Sequence, residues 1–256
     1  MKTTLTKKQI VADLSRLGLG AGDTVLVHSS MKSLGYVENG TDAVINALLE
    51  MLGETGTLFF PSFQKGSEHV LLRNGCVFDV RTSPTDQGLL PETFRKRPGV
   101  IRSLSPTHCL AGLGCRAASM LEGHERCSVS VGKGSPFSKL IECRGKILFL
   151  GVTHAADTML HFVENVNGAP TVCCECFKPR VIDAAGREHV VPTYPHMPGL
   201  RRCYERVEPL LLADGIQRNG MVGAATARLV DAARMADLIG AEIRRNPLFL
   251  IEVFTP

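Results

Sequence analysis

Apolar and polar positions along this chain switch between a helical and a strand period, and the switches mark out its elements. Thr6-x-x-Gln9 has the form of a capping box ahead of Ile10, Val11, Leu14 and Leu17, which recur at helical spacing until Gly18 or Gly20 stops them. DTVLVHSS then reads as a strand ending at His28, and Thr41 caps a second helix that carries Val44, Ala47, Leu48 and Met51 and closes at Gly53. GTLFFP follows as another strand, so the order strand, loop, helix, strand predicts a right-handed crossover between parallel strands. Residues 61 to 85 show no clear period, and an excursion of that length in a compact domain is more often functional than idle.

Beyond the excursion, DQGLLPETFRKR predicts a helix ended by Pro98, and THCLAGLG a strand. Ser135-Pro136 supplies the N-cap and first residue of a helix through Glu142, with Gly145 behind it. KILFLG is the clearest strand in the chain. It feeds DTMLHFVENV, a helix in which Asp157 is the N-cap, Leu160 and Val163 belong to the buried stripe, and Gly168 and Pro170 end the run. His161 and Glu164 stand three residues apart beside that stripe, just past the carboxyl end of a strand, the edge at which open α/β sheets bind ligands. Between 203 and 250 three helical patterns surround GMVGAATARLV, and LFLIEVF reads as a last strand.

Composition narrows the class. The 256 residues are 44% hydrophobic and 21% charged, with no repeat, low-complexity tract or linker, so 1–256 is expected to fold as a single domain without disulfide or metal. The opening MKTTLTKKQI has no apolar stretch behind its lysines, and no later segment approaches the roughly 20 apolar residues of a membrane span. A cytoplasmic protein with no membrane partner is the expectation, and nine cysteines in no paired framework fit thiols in a reducing compartment. A net charge of +4, without a Lys/Arg-dense helix or basic-aromatic interleaving, argues against nucleic acid and suits a small anionic ligand.

Two stretches carry candidate chemistry of their own. In VHSSMKSLGYVENG the backbone amides, the hydroxyls of Ser29, Ser30 and Ser33 and the charge of Lys32 gather between a strand and a helix start, where an anion could sit, although neither GxxxxGK[ST] nor GxGxxG is present. Cys173, Cys174 and Cys176, with His189, His196 and Cys203 after them, raise zinc; the spacing lacks a second matched pair, so no metal is expected.

Four ordered blocks, VLVHSSMKSLGYVENGTDAVINALL, GLLPETFRKRPGVIRSLSPTHCLAGLG, GKGSPFSKLIECRGKILFLGV and TMLHFVENV, resemble the aminoglycoside 3-N-acetyltransferase family over roughly residues 5 to 250. The resemblance implies a three-layer α/β/α sandwich around a mixed central sheet. It also implies acetyl-CoA as cosubstrate, a small-molecule amine acceptor and direct acyl transfer to an amine of an amino sugar. The family's serine-rich loop corresponds to His28 through Ser33, which places Ser29, Ser30, Met31, Lys32 and Ser33 at the CoA site. Its RSxxPTHS block corresponds to Arg102, Ser103, Pro106, Thr107 and His108, with Cys109 in the last serine's place, and borders the same site. Its His-x-x-Glu corresponds to His161, the catalytic base, and Glu164, which either orients the imidazole or holds the acceptor.

The chemistry fits those residue types. A sugar amine attacks a thioester only as the free base, and an imidazole with an ordinary pKa of about 6.5 is suited to remove the proton. Backbone amides near Ser29 to Met31 and the Thr107 hydroxyl are candidate oxyanion donors, and a relay through Cys109 is the rival to direct transfer. His108 either faces CoA or supports the turn after Pro106, and His28 is expected to be structural. Within 61–85, Lys65, Arg73 and Arg81 outnumber Glu68 and Asp79. That count favours an acceptor less cationic than an aminoglycoside, such as a nucleotide-linked amino sugar. A non-catalytic CoA-binding protein is the reading from another class, and the intact His-x-x-Glu argues against it.

Overall fold

The chain's first helix, α1 (Lys7–Leu17), starts where the capping box predicts. In the computed structural model, which describes residues 4–252, Thr6 Oγ1 accepts the Gln9 amide and Gln9 Oε1 accepts that of Thr6. The strands are β1 (Thr24–Ser29), β2 (Thr57–Pro61), β3 (Val77–Asp79), β4 (Ile101–Arg102) and β5 (Leu110–Gly114), then β6 (Lys146–Leu150), β7 (Arg180–Ile182), β8 (Glu188–Val190), β9 (Gln217–Val222) and β10 (Ala225–Asp231). Seven of them form one sheet in the order β4-β5-β2-β1-β6-β10-β9. β2, β1 and β6 run parallel, while β5 and β10 join antiparallel on either side, so the sheet is mixed.

Both faces are covered, because alternate residues of the parallel strands are apolar in both directions. Val25, Val27, Leu58, Phe60, Leu148 and Leu150 pack with α1, α2 (Gly40–Leu52) and, beyond a third short helix, α3 (Glu68–Arg73), with α4 (Leu89–Phe94). Leu26, Phe59, Ile147 and Phe149 face the other core. There they meet α5 (Ala117–Leu121), α6 (Pro136–Glu142), α7 (Thr158–Val166), α8 (Val207–Ala213) and α9 (Ala232–Arg245). The result is the expected α/β/α sandwich.

The structure departs from the sequence reading in particular places. The excursion at 61–85 contains α3, capped by Ser67, and β3, which pairs with β7 to build a small sheet β3-β7-β8 beside the main one. α2 begins at Gly40, after its cap Asn39 in the left-handed region at φ 59°, two residues ahead of the expected cap Thr41. GMVGAATARLV contributes the β9–β10 hairpin, turned at Gly223, where a Cβ would lie 2.4 Å from Leu5. LFLIEVF forms no strand among the described residues: Ile251 makes a single bridge to Arg202, and Val253 and Phe254 lie outside them. Among the described residues no helix is long and apolar enough to cross a membrane.

Candidate active site

Gly151 turns the chain at the carboxyl end of β6. Its φ is 69°, and a Cβ there would stand 2.3 Å from that of Ser33, so only glycine lets β6 pass this close to the serine loop. A short 3₁₀ turn (His154–Ala156) follows, and Asp157 caps α7 by accepting the Met159 amide at 3.0 Å. Met159, Leu160 and Val163 are fully buried, which fixes the rotation of α7 and aims His161, Glu164 and Asn165 along one side of it.

His161 and Glu164 meet there, together with a residue that no pattern announced. The Tyr204 hydroxyl donates to Glu164 Oε2 at 2.8 Å and accepts from His161 Nδ1 at 2.8 Å, while Nδ1 also lies 3.2 Å from Glu164 Oε2. Both partners want a proton on Nδ1, so the lone pair is on Nε2. Burial, with the Arg202 cation adding to it, holds the His161 pKa well below the usual imidazole range, which leaves the ring neutral and ready to accept a proton. Burial pushes the Glu164 carboxyl up, with Arg202 and Tyr204 opposing it, and Arg202 Nε stands 3.6 Å from Glu164 Oε1. Burial beside Glu164 raises the Tyr204 phenol far above its ordinary value, so it remains a donor.

A second carboxylate lies next to this group. Glu68, on α3, receives the Thr107 hydroxyl at 2.8 Å and that of Ser130 at 3.4 Å on Oε1, and both the backbone amide and Nδ1 of His196 at 2.8 Å on Oε2. Burial would raise its pKa, but the rings of His108 and His196 and these hydrogen bonds more than reverse that and hold it well below the carboxylate range. The His196 ring centroid is 4.4 Å from His161 and 5.5 Å from His108, and Phe63 sets its edge against His108 at 4.9 Å. His161 is the most open of the three, with 23% of its side chain exposed against 9% for His196 and 11% for His108.

Glu68, His108 and His196 are the one trio among the described residues with ligand atoms close enough for a metal. The hydrogen bonds argue otherwise. Asn165 Nδ2 lies 3.1 Å from His196 Nε2 and donates to it, so Nδ1 carries the ring's proton and has no lone pair for an ion. The cysteines at 173, 174, 176 and 203, with His189, form no such group among the described residues.

The remaining expected site residues divide. Thr107 and His108 belong to the cluster. Ser30 and Ser33 link their hydroxyls at 2.9 Å, Ser33 reaches the Gly151 carbonyl at 3.1 Å, and Met31 opens a 3₁₀ turn (Met31–Leu34) that includes Lys32. Ser29 Oγ is buried without a protein partner. The whole loop therefore lies against the β6 edge that feeds α7. Arg102 and Ser103 stand outside the His161 cluster and spend their polar groups within the protein. Arg102 gives its guanidinium to the carbonyls of Val80, Ser83 and Ser62 and lies over Phe78 at 4.5 Å, while Ser103 bonds the Leu110 amide and His124. Cys109 is buried, and burial pushes its thiol up, the opposite of what a nucleophile needs. His28 stacks on Phe149 at 5.5 Å, as a structural residue would.

The charge count over 61–85 also changes. Asp79 is held by Arg81 at 2.7 Å and Arg73 faces Glu175 at 3.7 Å, so of the charges counted there only Glu68 joins the His161 cluster. Sequence reasoning had Glu68 only as a charge and His196 only as a metal candidate. Tyr204, Arg202, Ser130 and Asn165 carried no local signal, since what distinguishes them is where the fold brings them.

Comparison with known proteins places the chain in a family. The family model for aminoglycoside 3-N-acetyltransferase matches residues 26–243. Aminoglycoside N(3)-acetyltransferase VII of Streptomyces paromomycinus is 31% identical, over 91% of this chain and 89% of its own. Among solved structures, aminoglycoside acetyltransferase AAC(3)-Xa superposes with a TM-score of 0.83 at 30% identity, over 94% of this chain and 93% of its own. The AAC-IIIb binary complex with CoASH gives 0.84 at 27%, over 99% and 100%. Sharing sequence over nine-tenths of its length and one architecture from end to end, the chain belongs to the aminoglycoside 3-N-acetyltransferase family.

Proposed function

We propose that the chain, acting as one catalytic unit in the cytoplasm, transfers acetyl from acetyl-CoA directly to an amine of an aminoglycoside-type sugar, with His161 as general base. The observation that carries this is the His161–Tyr204–Glu164 group, which protonates Nδ1 and presents Nε2 as the acceptor. As the amine attacks the thioester carbonyl, its proton passes to Nε2, and the imidazolium is stabilised through Nδ1–H by Glu164 and the Tyr204 hydroxyl. The C–N bond forms, the tetrahedral intermediate collapses, and the C–S electron pair leaves with CoA.

The oxyanion donors can be narrowed. The Ser30 amide is spent on the Leu150 carbonyl and the Thr107 hydroxyl on Glu68. That leaves the Met31 and Lys32 amides, which begin a helical turn and so lack an intrahelical acceptor. CoA is assigned to the side of Ser29 to Ser33. Among the described residues the charged groups set against His161 and Glu164 are Glu68, Glu164 and Arg202, two anions and one cation, which favours an ammonium-bearing acceptor over a phosphate-bearing one and reverses the expectation from the excursion alone.

Thiol release from acetyl-CoA, measured against a panel of aminoglycosides and nucleotide-linked amino sugars at matched ionic strength, tests the reading. Aminoglycosides should support turnover, and His161→Ala should lower kcat by about 10²-fold or more while leaving CoA affinity nearly intact. Near-normal turnover in that variant, or release only with the anionic acceptors, would refute it.

A further inference from the structure

Three imidazoles stand within one cluster, yet only one of them can serve as the base, and something has to decide which ring takes the amine's proton. The side chain of Asn165 makes three contacts that bear on this. Its Nδ2 donates to the Val131 carbonyl at 3.0 Å, its Oδ1 accepts the Thr171 hydroxyl at 3.3 Å, and Nδ2 also lies 3.1 Å from His196 Nε2. A carbonyl oxygen can only accept, so Val131 fixes which end of the amide faces it. The same nitrogen then presents an N–H to His196 Nε2. On the other side of the ring, Nδ1 donates to the ionised Glu68 at 2.8 Å. Both nitrogens of the neutral Nδ1–H tautomer are satisfied, and a second proton on Nε2 would set N–H against N–H.

We propose that Asn165 is a positioning residue that keeps His196 a neutral Nδ1–H imidazole, so that His196 does not compete with His161 for the amine's proton. The need for such a device follows from the surroundings. His196 sits 4.4 Å from His161 with its Nδ1 on a buried carboxylate, so without the Asn165 N–H its Nε2 would be an unclaimed lone pair beside that of His161. An imidazolium there would repel the acceptor's ammonium group and make His161 a weaker base. The titratable and charged groups around the two rings are Glu68 on α3, His108 ahead of β5, Glu164 on α7, and Arg202 and Tyr204 beyond it. None of these donates to His196 Nε2, and Asn165 does. His196 itself is held in place independently, by its backbone bond to Glu68 and its bridge to Val172, so the amide acts on the ring's proton rather than on its position.

The inference rests on His161 as the base, and the test separates the two. Nitrogen-15 histidine spectra report which ring nitrogens are protonated whether or not the protein turns over. In the unaltered chain at pH 7.5 His196 should show a protonated Nδ1 and a bare Nε2. Asn165→Asp keeps the shape but cannot donate, so both His196 nitrogens should be protonated at pH 7. Asn165→Ala adds no charge but leaves His196 Nε2 free to take a proton, and that inactivating protonation, rather than that of His161, should then set the acid limb of kcat/KM and move it to higher pH by about one unit, a roughly tenfold loss on that limb. A merely structural asparagine would lower stability in both variants and move neither readout. A neutral His196 in Asn165→Asp, or an unmoved acid limb in Asn165→Ala, would overturn the proposal. If no acetyl transfer occurs at all, the function reading falls and the spectra alone decide this one.

Discussion

Acid should destabilise this protein well before its carboxylates protonate, and two histidines outside the active site set the size of the effect. His28 is stacked on Phe149 at the end of β1, and His124 is sealed between Ser103 and Ser130. His124 Nε2 donates to the Ser130 carbonyl at 2.7 Å and Nδ1 faces the Ser103 hydroxyl at 2.8 Å, a complete set for a neutral ring. Burial lowers each pKa from 6.5 to about 4. The folded value lies below the unfolded one, so the unfolded chain binds more protons in between. The stabilisation is whole above about pH 6.5 and is lost as pH falls toward about 4. By pH 5 each ring has given up about 2 kcal/mol, ~4 kcal/mol for the pair.

Two groups oppose this in part: His154, raised by Asp157 and Gln217 against the pull of burial, regains its stabilisation as pH falls to about 6.5, and Glu164, raised by burial, takes its proton first in the folded chain, while Glu68, lowered, loses its share only below about pH 4.5. His161 is lowered too and adds to the loss. Urea unfolding at pH 7.5 and 5.0 measures the effect. With a slope of about 3 kcal/mol per molar, the midpoint should fall by about 1 M or more. His124→Gln can keep a donor toward Ser130 and an acceptor toward Ser103 but does not titrate, so the pair's loss should shrink to ~2 kcal/mol. A variant as acid-sensitive as the unaltered chain, or no change in stability between the two pH values, would refute the reasoning.

Tyr204→Phe removes the hydroxyl that bonds both His161 and Glu164, and kcat should drop about tenfold with KM for acetyl-CoA unchanged in steady-state kinetics. Gly151→Ala places a Cβ 2.3 Å from that of Ser33 at a φ of 69°, so thermal melting should show a lowered Tm and calorimetry a weakened CoA affinity. Cys109→Ser should retain most activity, and intact-mass measurement after acetyl-CoA alone should find no acetylated cysteine, because the buried thiol's pKa is raised.

Where structure is local, the sequence was a good guide. The capping box at Thr6, the Ser135-Pro136 start and the Asp157 cap are each made by atoms three residues apart or fewer, and all three appear as read. β1, β2 and β6 are apolar on both faces, which is visible in the chain itself. The small sheet was not legible, because three residues such as Val77–Asp79 are too few to show a period and their partner lies at Arg180–Ile182. The site followed the same division. His161 and Glu164 share a helix and were found together. Tyr204 reaches them from 40 or more residues away, and Glu68 is 128 residues from His196, separations across which no pattern reads.

That separation has a consequence for how the molecule comes into being. During synthesis β1, β2 and the crossover helix between them are available early, but β3 has no partner until β7 emerges, and Glu68 has none of its His196 donors until later still. Until then the Glu68 carboxylate keeps its water, since a charge is not desolvated ahead of its partners. The scaffold can thus form around an open wall, and the acid–base machinery is sealed as one of the last long loops closes. Pulsed hydrogen exchange during refolding should then protect the β1 and β2 amides ahead of the His196 amide.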